Sequence, residues 1–140
     1  MKLDTLFSPM KIGTCEIPNR LVVPAMVMNY CTYDGMITDQ YVAYMEEKAK
    51  GGWGLLITED YCVQPAGKGY SRIPGFWKEE HVASSRRVTD AVHKYDSKIF
   101  AQMYHPGRQT TPAANGGETP VAPSPTKDPM CQFQDRKSVV

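Results

Sequence analysis

Gln102, His105 and Arg108 bring an amide, an imidazole and a guanidinium into one short stretch, Gln102-Met103-Tyr104-His105-Pro106-Gly107-Arg108. An ordinary polar loop would account for any one of them; three so close together point to a ligand site. The stretch follows the apolar run Lys98-Ile99-Phe100-Ala101, so these groups stand at the carboxyl end of a strand. That edge is where parallel α/β proteins bind ligands, because loops vary there while the sheet stays rigid. A second pair of candidates, Glu59 and Asp60, closes the apolar run Trp53-Gly54-Leu55-Leu56-Ile57-Thr58. These two acids are either a solvated turn or part of a site, and in the second case burial requires partners for them. Metal-assisted hydrolysis by His105 with Asp60 ranks last, since no second histidine falls at a strand end.

The elements that must position these groups alternate strand and helix. Met10-Lys11-Ile12-Gly13 and Cys15-Glu16-Ile17 flank a turn and predict a small hairpin. Asn19-Arg20-Leu21-Val22-Val23 predicts a short buried strand, ended by Pro24, which has no backbone donor. Thr38 or Asp39 caps a helix running to about Lys50, with Tyr41, Tyr44, Met45, Lys48 and Ala49 at helical spacing, and Gly51-Gly52 stops it. Trp53 to Thr58 is continuously apolar, as a parallel strand covered on both faces should be. A second helix, about Lys78 to Tyr95, carries a stripe of Val82, Val88, Ala91, Val92 and Tyr95. Lys98 to Met103 is the third strand. From Pro112 onward, Pro112, Pro120, Pro123, Pro125 and Pro129 with Asn115-Gly116-Gly117 preclude a long helix or an interior strand.

Composition narrows the function classes. The chain has 140 residues, 41% of them hydrophobic, with sixteen basic and fifteen acidic side chains. A net charge of +1 gives no electrostatic reason to expect nucleic acid or an anionic membrane as partner. The first twenty residues are broken by Asp4, Pro9, Lys11, Gly13, Glu16 and Pro18, which leaves no signal-peptide core, and no apolar run approaches a membrane span. A cytoplasmic location follows as the expectation. Cys15, Cys31, Cys62 and Cys131 are far apart, without a Cys-x-x-Cys pair, and are read as reduced thiols. Three parallel strands with two crossovers leave both sheet edges open, so the chain is expected to be cut off before its next element.

Phe7-Ser8-Pro9-Met10-Lys11-Ile12-Gly13 and Pro18-Asn19-Arg20-Leu21-Val22-Val23-Pro24-Ala25-Met26 resemble the opening of the Old Yellow Enzyme family of FMN-dependent oxidoreductases. Ala49-Lys50-Gly51-Gly52-Trp53-Gly54-Leu55-Leu56-Ile57-Thr58-Glu59 resembles the family's second strand, and Gln102 to Arg108 its third strand and loop. The resemblance runs in order from about Leu6 to Ser124. Pro-Ala-Met followed by Asn29-Tyr30 and Asp34-Gly35 is most similar to the enoate reductase and 2,4-dienoyl-CoA reductase branch.

The resemblance implies an α/β fold, a TIM (β/α)8 barrel, of which residues 1–140 supply the N-terminal hairpin plug, three parallel strands and two helices of a single FMN-binding domain. It implies that Pro24, Ala25 and Met26 run beneath the isoalloxazine ring, that Gln102 hydrogen-bonds the flavin pyrimidine, and that Glu59 and Asp60 lie near the same ring. FMN is the implied cofactor and NAD(P)H the reductant, with hydride passing to an activated alkene, a small-molecule substrate. The family's proton donor falls beyond residue 140, as does any iron–sulfur cluster, so no catalytic residue is assigned here. Val27 stands where some relatives carry a cysteine, so neither thiol modulation nor covalent attachment of the flavin is expected from it. His105 receives no catalytic role, and Asn19 and Arg20, at the opposite end of their strand, are expected to hold structure. A contrasting reading is an inert half-barrel that associates with itself or with a complementing half through its open strand edges.

Overall fold

The computed structural model describes residues 3–124, 128–129 and 136–137. The first two strands, β1 (Met10–Ile12) and β2 (Cys15–Ile17), pair antiparallel as the expected hairpin, turning at Gly13 with φ +59°. β3 (Val22–Val23) is shorter than the five residues expected. The reason is Asn19, whose Oδ1 takes the amides of Leu21 at 3.0 Å and Gly54 at 3.1 Å while its Nδ2 donates to Gly52 O at 2.9 Å. A side chain thus supplies the bonds that a ladder would otherwise make. Arg20 N is used elsewhere, on Leu6 O at 2.9 Å, so both residues serve structure as expected.

Helix α1 (Asp39–Lys50) begins where Thr38 Oγ1 accepts the Tyr41 amide and ends at Gly51, with Gly52 following at φ +86°. Its buried residues are Tyr41, Met45 and Ala49, with Tyr44 packed partly against the same core. Helix α2 (Glu79–Val92) is shorter than expected, and its buried stripe differs. Val82 is 42% exposed, whereas His81 and Ser84 are buried. The inner face of this helix meets backbone as well as hydrocarbon: Ser84 Oγ accepts the Ile37 amide at 2.8 Å, and His81 Nε2 lies 2.8 Å from Asp34 O. Polar side chains therefore outcompete valine at those positions.

β4 (Leu55–Cys62) and β5 (Lys98–Tyr104) complete a three-stranded parallel sheet in the order β3-β4-β5, as the sequence predicts. β4 runs past the expected end at Thr58 and contains Glu59 and Asp60, because its pairing with β5 continues through Cys62 opposite Tyr104. The core lies between this sheet and the two helices and includes Val23, Leu56, Tyr61, Tyr41, Met45, Val88 and Val92. Leu56 belongs to this helix-facing side and is fully buried, and Ile99 packs partly against the same cluster. Burying such side chains is what holds sheet to helices, at roughly 1.5 to 3 kcal/mol each.

Beyond β5, a one-turn helix α3 (Pro112–Asn115) and a short parallel pair, β6 (Val121–Ala122) with β7 (Arg136–Lys137), fit the proline-rich composition. Cys15, Cys31 and Cys62 are free thiols; Cys131 and Pro125 lie outside the described residues. No helix among the described residues is long and apolar enough to cross a membrane, and no closed barrel forms among them.

Candidate functional site at the carboxyl edge of the sheet

Gln102 and its surroundings are set by a fault in the β4–β5 ladder. Ile57 pairs with Phe100 and Asp60 with Gln102, so three steps along β4 match two along β5. That extra residue is a β-bulge at Thr58-Glu59. In an unbroken ladder Glu59 would stand opposite Gln102; the bulge shifts the register and puts Asp60 there instead. Thr58 Oγ1 fills the gap by accepting the Gln102 backbone amide at 3.1 Å. Asp60 Oδ1 then accepts the Gln102 side-chain Nε2 at 2.5 Å.

The two acids consequently part company. Asp60, on the side of Gln102, is nearly buried, and burial raises its pKa against the opposing pull of the Gln102 amide. Glu59 turns toward the segment that follows β3. Its Oε2 accepts the Met28 amide at 3.0 Å, while its Oε1 is buried without a hydrogen bond. With only 1% of the residue exposed, desolvation pushes the Glu59 pKa up to about 7, although the Met28 and Asn29 amides pull it down.

Pro24, Ala25 and Met26 continue directly from β3 outside any strand pairing, and Met28, two residues on, is the group that Glu59 holds beside β4. Met26 is 54% exposed. An exposed thioether, free backbone groups and an exposed amide at adjoining strand ends suit the face and polar rim of a flat heteroaromatic ligand.

The three groups of the Gln102–Arg108 stretch do not converge. His105 Nδ1 accepts the Gly107 amide at 3.0 Å, which leaves the ring proton on Nε2, 2.6 Å from the Gln64 amide group, whose oxygen must face it. Arg108 Nε lies 3.7 Å from Asp128 Oδ2. Among the described residues no cluster of three or more metal-ligating side chains forms, and His105 engages Gln64, not Asp60.

Sequence reasoning passed over His81 and the Lys68–Tyr33 contact. His81 is fully buried and clasps the Asp34 carbonyl, and Lys68 Nζ donates to Tyr33 O at 2.6 Å. Gly75 was the available signal for the first, since a Cβ there would come within 2.3 Å of His81 Cε1.

Comparison with known proteins identifies the family and the fold. The profile of the NADH:flavin oxidoreductase / NADH oxidase family matches residues 5–138. The NADH oxidase of Thermoanaerobacter brockii is 38% identical over 136 residues, which is 96% of this chain and 21% of that protein. Among solved structures, 2-naphthoyl-CoA reductase in complex with 2-naphthoyl-CoA superposes with a TM-score of 0.89 at 27% identity, covering 97% of this chain and 23% of that one. The Old Yellow Enzyme homologue from Zymomonas mobilis gives 0.80 at 30% identity, covering 89% and 34%. The chain spans between about a tenth and about a third of the length of the curated relatives it matches. From its matched profile and its parallel sheet, the chain belongs to the NADH:flavin oxidoreductase / NADH oxidase family of flavin-dependent oxidoreductases, and its strands are part of an Old Yellow Enzyme TIM barrel.

Proposed function

We propose that residues 1–140 are the N-terminal segment of one FMN-binding barrel domain in an enzyme that reduces activated carbon–carbon double bonds with NAD(P)H. The observation that carries this reading is the parallel order β3-β4-β5, which puts Pro24-Ala25-Met26 just after the first strand and the bonded pair Asp60 and Gln102 toward the carboxyl ends of the other two. Met26 would lie against the ring face, and the backbone of Pro24 to Met26 would meet its polar edge. Gln102 would hold the pyrimidine portion: it is exposed, and its carboxamide oxygen takes no hydrogen bond from the described residues. Glu59 would act one step behind, fixing the Met28 amide and with it the run of chain beneath the ring. When bound, FMN would supply hydride transfer between a nicotinamide and the alkene.

The alkene class draws support from the Pro-Ala-Met, Asn29-Tyr30 and Asp34-Gly35 signature and from the likeness to a reductase solved with a conjugated acyl-CoA. Free thiols and a nicotinamide reductant fit the cytoplasm. The proton donor, and any iron–sulfur cluster, would come from chain beyond residue 140. The contrasting reading as a self-associating inert module finds no support in the matched proteins described above, each named as an oxidoreductase, a reductase or a homologue of one. Purification of the full-length protein tests the proposal. Copurified FMN, seen as visible flavin bands that bleach on adding NADH or NADPH and recover with an enoate, is the expected result. A colourless protein that neither retains nor takes up FMN would overturn it.

A further inference from the structure

A glutamine amide can sit two ways, exchanging its nitrogen and oxygen, and a ligand edge is read only if one way is fixed. Here the fixing group is Asp60. It stands opposite Gln102 in the ladder, is 7% exposed, and holds Gln102 Nε2 at 2.5 Å. An ionised carboxylate only accepts hydrogen bonds, so the nitrogen end must face it and the oxygen end must face away. The backbone of Gln102 is pinned independently, by Thr58 Oγ1 at 3.1 Å, so the amide cannot reach an alternative partner by sliding along the strand.

We propose that Asp60 is a positioning residue that locks the Gln102 carboxamide with its oxygen toward the ligand, making the site specific for a ring edge that presents an N–H donor there. The inference rests on the flavin reading above, since the N3–H of a flavin pyrimidine is such a donor. A reversed amide would set N–H against N–H and leave the ligand donor unpaired. Burial raises the Asp60 pKa and the Gln102 amide lowers it. Glu59 and Cys62 are the ionisable groups on its own strand that act on or feel it. From β5 it meets uncharged Gln102, and on the β3 side Val22 to Met26 carry no ionisable side chain. Protonated Asp60 gains an O–H that can donate to the glutamine oxygen, which removes the preference.

The test is nuclear magnetic resonance of the chain labelled with 15N-glutamine, with the Gln102 side-chain NH2 pair assigned by its loss in Gln102→Leu. In the unsubstituted chain that pair should shift with pH as Asp60 titrates, with a midpoint above that of an ordinary aspartate. Asp60→Asn, close in shape, should abolish the response; Asp60→Ala serves the same purpose should the asparagine variant fail to fold. A Gln102 pair with the same pH response in these variants, or with the shifts of a free glutamine in the unsubstituted chain, would overturn the proposal. FMN titration of the full-length protein and its Asp60→Asn variant separates the two claims. Binding weakened roughly tenfold by Asp60→Asn supports both. A responsive NH2 pair with no FMN binding keeps the Asp60 role and refutes the flavin reading, and FMN bound equally by both forms refutes the Asp60 role.

Discussion

Glu59 Oε2 accepts the Met28 backbone amide at 3.0 Å, joining the bulged centre of β4 to the chain that leaves β3. The bond spans two elements that no ladder connects at this point, because β3 ends at Val23. The bulge makes it possible by turning Glu59 away from Gln102 and leaving that place to Asp60. One extra residue in a strand thus assigns two adjacent acids to two tasks: one holds the chain that follows β3 and the other holds the Gln102 amide.

Glu59 should make stability depend on pH. Its pKa rises from 4.5 to about 7 on folding, so the folded state binds its proton more tightly than the unfolded state does. The stabilisation from the protonated form is complete below pH 4.5, falls as pH rises toward 7, and is gone above it. The shift corresponds to roughly 3 kcal/mol. Urea denaturation across this range should show Glu59→Gln losing most of that slope; a variant with the slope of the unsubstituted chain would remove Glu59 as its source.

Gly54→Ala should destabilise the chain by about 1 to 3 kcal/mol, the cost of overpacking. A Cβ at Gly54 would lie 2.5 Å from Asn19 O and 2.7 Å from Asn19 Oδ1, and the Oδ1 is held by the Leu21 and Gly54 amides. The urea midpoint reports it, and an unchanged midpoint would show that Asn19 can move aside.

Gly75 and His81 should be coupled. Gly75→Ala forces a methyl into the His81 ring, so it should cost several times more with His81 present than in a His81→Ala background. A double-mutant cycle by urea denaturation measures the difference, and simple additivity would refute the contact.

Much of the fold was legible because local signals agreed with one another. Thr38 and Gly51-Gly52 bracket α1, and the unbroken apolar runs around Leu56 and Phe100 mark parallel strands, of which β4 is buried along nearly its whole length while β5 is half-buried at its start and exposed from Ala101 to Met103. Val82 misled because periodicity alone cannot show that His81 and Ser84 find backbone partners across the helix interface. The candidate site was legible as a set of residues, but not in its division of labour. Glu59 and Asp60 are neighbours in sequence, and only the bulge, which follows from pairing with a distant strand, decides which of them faces Gln102. His105 and Arg108 looked like partners of Gln102 by proximity, yet Gln64, Gly107 and Asp128 draw them away.

The central claim is that the carboxyl edge of β3, β4 and β5 holds FMN through Gln102, and fluorescence titration of FMN into the full-length protein tests it most directly. Gln102→Leu should lose roughly 1 to 3 kcal/mol of binding, about 5- to 150-fold in Kd, because a flavin polar edge is left unpaired. Val82→Ala, on the exposed face of α2, should bind as the unsubstituted protein does. Equal FMN affinity in the Gln102→Leu variant and the unsubstituted protein would contradict the account.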